Sequence, residues 1–242
     1  MNKRQPSRKL SRRQWIAGTG ILAASAATAD SISFANEQTA EQLPPQDSQQ
    51  AWERLQKGNE RFLSGELKHP HSATAWRKRL VDGQKPFATV IGCSDSRVPP
   101  ELLFDQGFGD LFVIRVAGNV IDTDVAGSVE YGVDHLGTKI VVVMGHEGCG
   151  AVTAALQAEE DLAKEPNEIQ KLVGKIKPSL RKFESETPFD QKLNLSVHDN
   201  VRQSVKQLRS IPDLAEAEQA SLTKIVGCVY EIKTGKVRQI EI

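Results

Sequence analysis

Two short stretches of this sequence gather sulfur, imidazole, carboxylate and guanidinium groups at the ends of apolar runs. In FATVIGCSDSR, Phe87 to Arg97, apolar or small residues and a glycine lead into Cys93, followed at once by Ser94, Asp95, Ser96 and Arg97. In VVVMGHEGCGAV, Val141 to Val152, a second apolar run leads to His146, and Cys149 follows with two residues between them. If the two runs are neighbouring strands, Cys93, His146 and Cys149 converge. Two thiolates and one imidazole suit Zn2+, whose borderline softness accepts both sulfur and nitrogen. Three protein ligands leave one tetrahedral position open, as catalytic rather than structural zinc sites do. A lone H-x-x-C reads more simply as a satisfied strand-end histidine and a small core thiol; the matching strand-end placement of two motifs is what favours a metal. Asp95 and Arg97, two positions apart on a chain leaving a strand, can pair as carboxylate and guanidinium. Alone that is a salt bridge. Beside a zinc, a carboxylate held by Arg97 stays ionised and accepts a hydrogen bond from zinc-bound hydroxide, orienting it toward substrate.

The third cysteine, Cys228, lies in IVGCVYEI with no histidine or cysteine beside it and reads as core packing. Three is an odd number, which makes a disulfide framework a poor account. Two other readings of these residues stay open: a dithiol redox pair of Cys93 and Cys149, and a zinc-binding structural protein without turnover.

Short runs rich in Val and Ile, at Phe87 to Gly92, Leu111 to Val116 and Ile140 to Met144, read as parallel strands buried on both faces. A fourth, Ile225 to Ile232, is followed across Thr234-Gly235 by Lys236 to Ile242, a hairpin closing one edge. Helical patterns occupy Val125 to Leu136, Ala151 to Gln157 and Asn200 to Leu208, so the expected fold is α/β with one mostly parallel sheet flanked by helices. In such a sheet ligands bind beyond the carboxyl ends of the strands, where both motifs fall. Upstream, QQAWERLQKGNERFLSGEL (Gln49 to Leu67) reads as an amphipathic helical arm with Gly58 as its weak point, and a short helix is expected over Ala73 to Val81. The charged segment Ala158 to Leu193, punctuated by Pro166, Pro178 and Pro188, reads as a surface insertion with a helix in EIQKLVGKIKPSLRKF.

The 242 residues, 39% hydrophobic and 26% charged, are enough for one α/β domain plus an appendage. The formal net charge is +0, and the mixed signs offer no basic face for nucleic acid. Residues 1–35 hold six basic groups and one acid, so of the chain's 31 of each sign 25 basic and 30 acidic remain, a net of −5. These residues read as an export signal: a basic start, the run WIAGTGILAASAATA, then small-residue patterns ending at Ala29 and Ala35, of which Ala35 is the favoured cleavage point. The run is too short and glycine-rich to span a bilayer stably. SRRQWIA, Ser11 to Ala17, resembles the twin-arginine type, which implies passage through the Tat machinery to a periplasm, or alternatively a thylakoid lumen. Residues 36–50, polar with Pro44-Pro45, read as a flexible linker. Residues 51–242 form the remaining domain.

CSDSRVPPE, FVIRVAGNV, GSVEYGVDHLG and GHEGCGAV occur in that order, continued by NVRQSVKQL and VGCVYEIKTGKV. Together they resemble the β-class carbonic anhydrases over about residues 50 to 242. The resemblance implies a sheet of four parallel strands with a fifth added antiparallel, and N-terminal helices that wrap a partner in a homodimer or higher homo-oligomer. It implies one Zn2+ per subunit on Cys93, His146 and Cys149, with Asp95 and Arg97 as the catalytic pair. Gln84, Tyr131 and Gly150 fall where the family binds substrate. The implied reaction is reversible hydration of CO2 to bicarbonate and a proton, with hydrolysis of COS or CS2 as the alternative on the same site. Tyr131 and Glu147 are candidate proton shuttles. In some members the aspartate leaves its arginine and takes the fourth zinc position, and both states remain open here. Val116 and Cys228 depart from the residues usual at their positions, Asn and Trp, and the insertion at 158–193 is longer than the family pattern.

Overall fold

The computed structural model describes residues 43–242. The expected export signal and the first part of the expected linker lie outside the described residues. Among the described residues, five strands form one sheet in the order β2-β1-β3-β4-β5. These are β1 (Ala88–Gly92), β2 (Leu111–Arg115), β3 (Ile140–His146), β4 (Ile225–Tyr230) and β5 (Val237–Gln239). The first four are parallel and β5 pairs antiparallel with β4, as anticipated. Every residue of β1, β3 and β4 is buried, because helices cover both faces and leave no polar side of the kind that makes antiparallel strands alternate. β3 runs two residues past the apolar stretch seen in the sequence, so that His146 is a strand residue, paired in register with Tyr230.

Helix α1 (Ser48–Ser64) starts where Asp47 Oδ1 accepts the Gln50 N–H at 2.8 Å and stops at Gly65, in the left-handed region at φ 75°. The stretch read as linker to residue 50 therefore gives way to helix three residues early, at a cap residue. Ala51 and Leu55 are fully buried against the body of the same chain. The Arg54 guanidinium pairs with Asp110 at 3.1 Å and Arg61 with the buried Asp105 at 2.5 Å, which fastens the arm to the segment leading into β2. Helix α2 (Thr74–Arg79) falls inside its expected span, and α3 (Pro100–Leu103), a single turn, was not foreseen.

Helices α4 (Thr123–Asp134) and α5 (Gly150–Ala155) lie close to their expected positions. Two differences concern the region after them. The segment at 158–193 is not a mere surface insertion: α6 (Glu159–Leu162) and α7 (Asn167–Ile176) bury Leu162, Val173 and Ile176 in the core. Its abundant charges are the solvated faces of these helices. Helix α8 (Phe189–Arg209) begins eleven residues before the expected Asn200. Its buried face includes Ser196, Asn200 and Ser204 as well as Leu193, Val197, Val201, Val205 and Leu208, so the 3.6-residue period is real but three of its eight marks are polar. Helix α9 (Pro212–Gln219), also unforeseen, completes the layer. No helix among the described residues is long and apolar enough to cross a membrane.

Gly58 is a contact rather than a weak point. A Cβ there would lie 1.7 Å from the Phe104 carbonyl oxygen, at the end of α3. Gly58→Ala is expected to destabilise the protein: overpacking costs about 1–3 kcal/mol, and more than the roughly 1 kcal/mol gained in helix propensity is lost when α1 is pushed off backbone that cannot move aside. A lower urea midpoint at unchanged slope is the expected readout; a raised midpoint would show that the arm is free to shift.

Candidate active site

The side-by-side pairing of β1 and β3, with Gly92 opposite Met144, brings the carboxyl ends of both strands to one edge of the sheet. Cys93 is the first residue beyond β1, His146 the last of β3, and Cys149 the N-cap residue of α5. Their ligand atoms all lie within 4.8 Å of one another, and all three residues are buried. His146 Nδ1 is 2.9 Å from the Glu147 carbonyl oxygen, which can only accept, so this nitrogen carries the proton. Nε2 is then left as a lone-pair donor, and it has no hydrogen-bond partner among the described residues. A buried imidazole nitrogen without a partner is costly. Two sulfurs and such a nitrogen, fixed in tautomer by a backbone carbonyl, make a donor set that fits Zn2+.

The two thiols differ. Proximity to the Cys149 thiol, together with backbone N–H groups directed at the sulfur, lowers the pKa of Cys93. Proximity to the Cys93 sulfur and burial push Cys149 up. Cys93 Sγ also accepts the backbone N–H groups of Asp95 at 3.4 Å and Gly118 at 3.3 Å. Cys228, paired opposite Met144 in mid-strand, is fully buried, and desolvation alone pushes its thiol up, as core packing requires.

Asp95 is clasped by Arg97. Nε donates to Oδ1 at 2.9 Å and Nη2 to Oδ2 at 2.8 Å, while the Arg97 backbone N–H donates to Oδ1 at 2.9 Å. The Arg97 guanidinium holds the Asp95 carboxyl well below the usual carboxylate range. Oδ2 lies 4.0 Å from His146 Nε2, so the carboxylate borders the sulfur–imidazole cluster while remaining paired with arginine. Arg115, the last residue of β2, clamps the chain as it leaves β1, donating from Nε to the Cys93 carbonyl at 2.9 Å and from Nη2 to the Asp95 carbonyl at 2.5 Å. Neither Arg115 nor Gly118 was singled out from the sequence, although a charged residue closing an apolar run was a signal for the first.

Of the remaining expected site residues, Gly150 directly follows Cys149 as the first residue of α5. Gln84 and Tyr131 are not brought to the cysteines within one chain. Gln84 is exposed on the approach to β1, and the whole strand, roughly 16 Å for five residues, separates it from Cys93. Tyr131 is 46% exposed on α4, its ring 6.1 Å from that of Phe112, while the adjoining Gly132 packs on Thr89. Both contacts are at the second residues of their strands, the end away from Cys93. Glu147 turns its carboxylate to the Lys233 backbone N–H, at 3.5 Å.

The family description that matches this chain is carbonic anhydrase, over residues 88–237. Carbonic anhydrase 2 of Mycobacterium tuberculosis is 39% identical over 196 residues, covering 80% of this chain and 93% of that protein. Among solved structures, the β-carbonic anhydrase CcaA superposes with a TM-score of 0.65 at 26% identity over 78% of this chain and 87% of that one. One of two tetrameric β-carbonic anhydrases from Sordaria macrospora shares the fold, with a TM-score of 0.64 at 24% identity over 77% of this chain and 94% of that one. The matched segment runs from the first residue of β1 to the first of β5 and encloses the whole cysteine–histidine cluster, and the chain belongs to the β-class carbonic anhydrases.

Proposed function

We propose that this protein is a zinc enzyme that reversibly hydrates CO2 to bicarbonate and a proton. The observation that carries the reading is the buried cluster of Cys93 Sγ, Cys149 Sγ and the unpartnered His146 Nε2, bordered by an arginine-held carboxylate. Cys93, His146 and Cys149 would hold the metal. When bound, zinc would supply Lewis acidity, which in carbonic anhydrases lowers the pKa of bound water to about 7. Asp95 is kept ionised by Arg97 and so accepts hydrogen bonds without taking the proton. Its Oδ1 already receives two N–H groups and its Oδ2 one. A carboxylate oxygen has two lone-pair directions, so Oδ2, on the side of His146, retains one for the O–H of the attacking water and turns that water's own lone pair toward CO2. The proton released passes to buffer, balancing CO2 and water against bicarbonate and H+.

The exposure of Gln84 and Tyr131 favours a homodimer or higher homo-oligomer, in which a partner's copies meet the substrate, with assembly of the kind named for the Sordaria macrospora enzymes. The SRRQWIA stretch supports export of the folded protein through the Tat machinery to a periplasm. That route would allow zinc to be bound before two thiolates meet an oxidising compartment.

Stopped-flow hydration of CO2, with COS and CS2 assayed on the same zinc-quantified sample, tests the reading. Cys149→Ser is expected to lower zinc well below one per chain and to abolish hydration. Asp95→Asn should retain zinc yet lose about 100-fold in kcat, because misorientation of the attacking group costs on that order. Full zinc with unchanged kcat in Asp95→Asn would remove Asp95 from the reaction, and turnover of COS or CS2 alone would reassign the substrate.

Asp95 also sets a pH dependence. Its folded pKa is depressed, so the pair with Arg97 contributes stability above the unfolded value near 3.9 and loses it as pH falls toward the folded one. Arg97→Met removes the largest cause of the depression. Carbon-13 spectra of labelled aspartate are expected to show Asp95 titrating at or above about 3.9 in that variant and below it in the unsubstituted protein; identical titrations would mean that Arg97 does not control the carboxylate.

A further inference from the structure

The chain between β2 and α4 turns sharply next to Cys93. Gly118 and Asn119 both have positive φ, 67° and 45°, a conformation that costs a residue with a side chain about 1 kcal/mol or more. At Gly118 a Cβ would also sit 2.7 Å from Ile176 Cδ1 and 3.0 Å from Ala151 Cβ. The strained turn directs the Gly118 N–H to Cys93 Sγ at 3.3 Å. What holds it lies far away in sequence. Asn200, 3% exposed on α8, donates from Nδ2 to the Gly118 carbonyl at 2.7 Å, and Ser204, one helical turn on, donates from Oγ to the Asn119 carbonyl at 3.2 Å. With two successive carbonyls fixed, the turn cannot relax into an ordinary conformation.

We propose that Asn200 is a positioning residue for Cys93: by holding the Gly118 carbonyl it keeps the Gly118 N–H on the sulfur and so tunes the thiolate as a metal ligand. The inference rests on the zinc reading above. Packing alone does not account for an asparagine here. Val197, Val201 and Val205 pack the adjoining stripe of α8, whereas Asn200 stands between the buried Ser196 and Ser204, and a buried amide is costly unless bonded. A hydrogen bond to a thiolate withdraws electron density from it. Of the two backbone donors on Cys93, the Asp95 N–H is steadied by Arg115 through the Asp95 carbonyl, and the Gly118 N–H by Asn200. Each donor thus has its own support from another element, the outer layer that holds ligands to a metal in a fixed orientation.

The test uses the full chain with Asn200→Ala, the milder Ser204→Ala, and Val205→Ala as a control that removes buried volume from the same helix without touching the turn. Zinc affinity is read by competition with a chromophoric chelator, and the sulfur-to-metal charge-transfer band is read after cobalt substitution. Asn200→Ala is expected to weaken zinc binding roughly 10- to 100-fold and to move the band to lower energy, since a thiolate stripped of a donor gives up charge more readily. Ser204→Ala should move both in the same direction by less, and Val205→Ala should be less stable with affinity and band unchanged. Should Asn200→Ala not fold, Ser204→Ala decides. An unshifted band and unchanged affinity in the variants that fold would overturn the proposal. Absence of any thiolate–cobalt band in the unsubstituted protein would instead overturn the zinc reading, and this inference with it.

Discussion

The parallel pairing of β1 with β3 is the constraint on which the remainder depends. Register is what makes it specific: Gly92 faces Met144, so the residue after β1 and the last residue of β3 emerge at the same edge. A slip by one residue would turn every side chain of a strand to the opposite face, and Cys93 and His146 would part. The slip is strongly opposed because these strands are buried throughout and flanked by β2 and β4. The core thereby fixes the geometry of a site in which it takes no chemical part.

Bringing donor groups together under cover has an electrostatic cost, and the surrounding chain is arranged to offset it. The Cys93 sulfur is buried, and two backbone N–H groups are directed to it. A bidentate guanidinium faces the Asp95 carboxylate from the solvent side, where Arg97 is half-exposed, and holds its pKa below the usual carboxylate range. The two arginines have different duties. Arg97 neutralises a side chain, whereas Arg115 binds two backbone carbonyls and so shapes the turn that carries the other groups. Replacing either by lysine would keep the charge and lose the planar fork that makes two bonds at once.

The features readable in the sequence were those with local causes. Val- and Ile-rich runs announced the parallel strands, because burial on both faces removes alternation, and paired motifs at strand ends announced the cluster of Cys93, His146 and Cys149. The long α8 was read only from Asn200 onward because upstream of it the buried face carries Leu193, Ser196 and Val197, where the serine interrupts an already short apolar period. The segment at 158–193 looked solvated because Leu162, Val173 and Ile176 are few among many charges, yet they are the residues that enter the core. Gln84 and Tyr131 were assigned by resemblance alone, and within one chain both are exposed and lie toward the other end of the strands from Cys93. Arg115, Gly118 and Asn200 act through backbone groups of residues distant in sequence, and hydrogen bonds to a carbonyl leave no compositional trace.

The three cysteines show how little of a thiol's chemistry belongs to the residue itself. Cys228 sits in mid-strand opposite Met144, where every neighbour is core, and burial holds it neutral and inert. Cys93 is only one residue beyond the matching position on β1, since Gly92 also faces Met144. That single step past the last paired residue takes the sulfur off the sheet to where chain ends turn, and backbone N–H groups, no longer committed to the ladder, are available to it. The carboxyl edge of a parallel sheet supplies such uncommitted donors wherever strands give way to turns and helices. A buried sheet can therefore carry a cluster of sulfur and imidazole donors at its rim without weakening its core, and the demand for polar partners passes outward to side chains such as Asn200 and Arg115 that hold those turns in place.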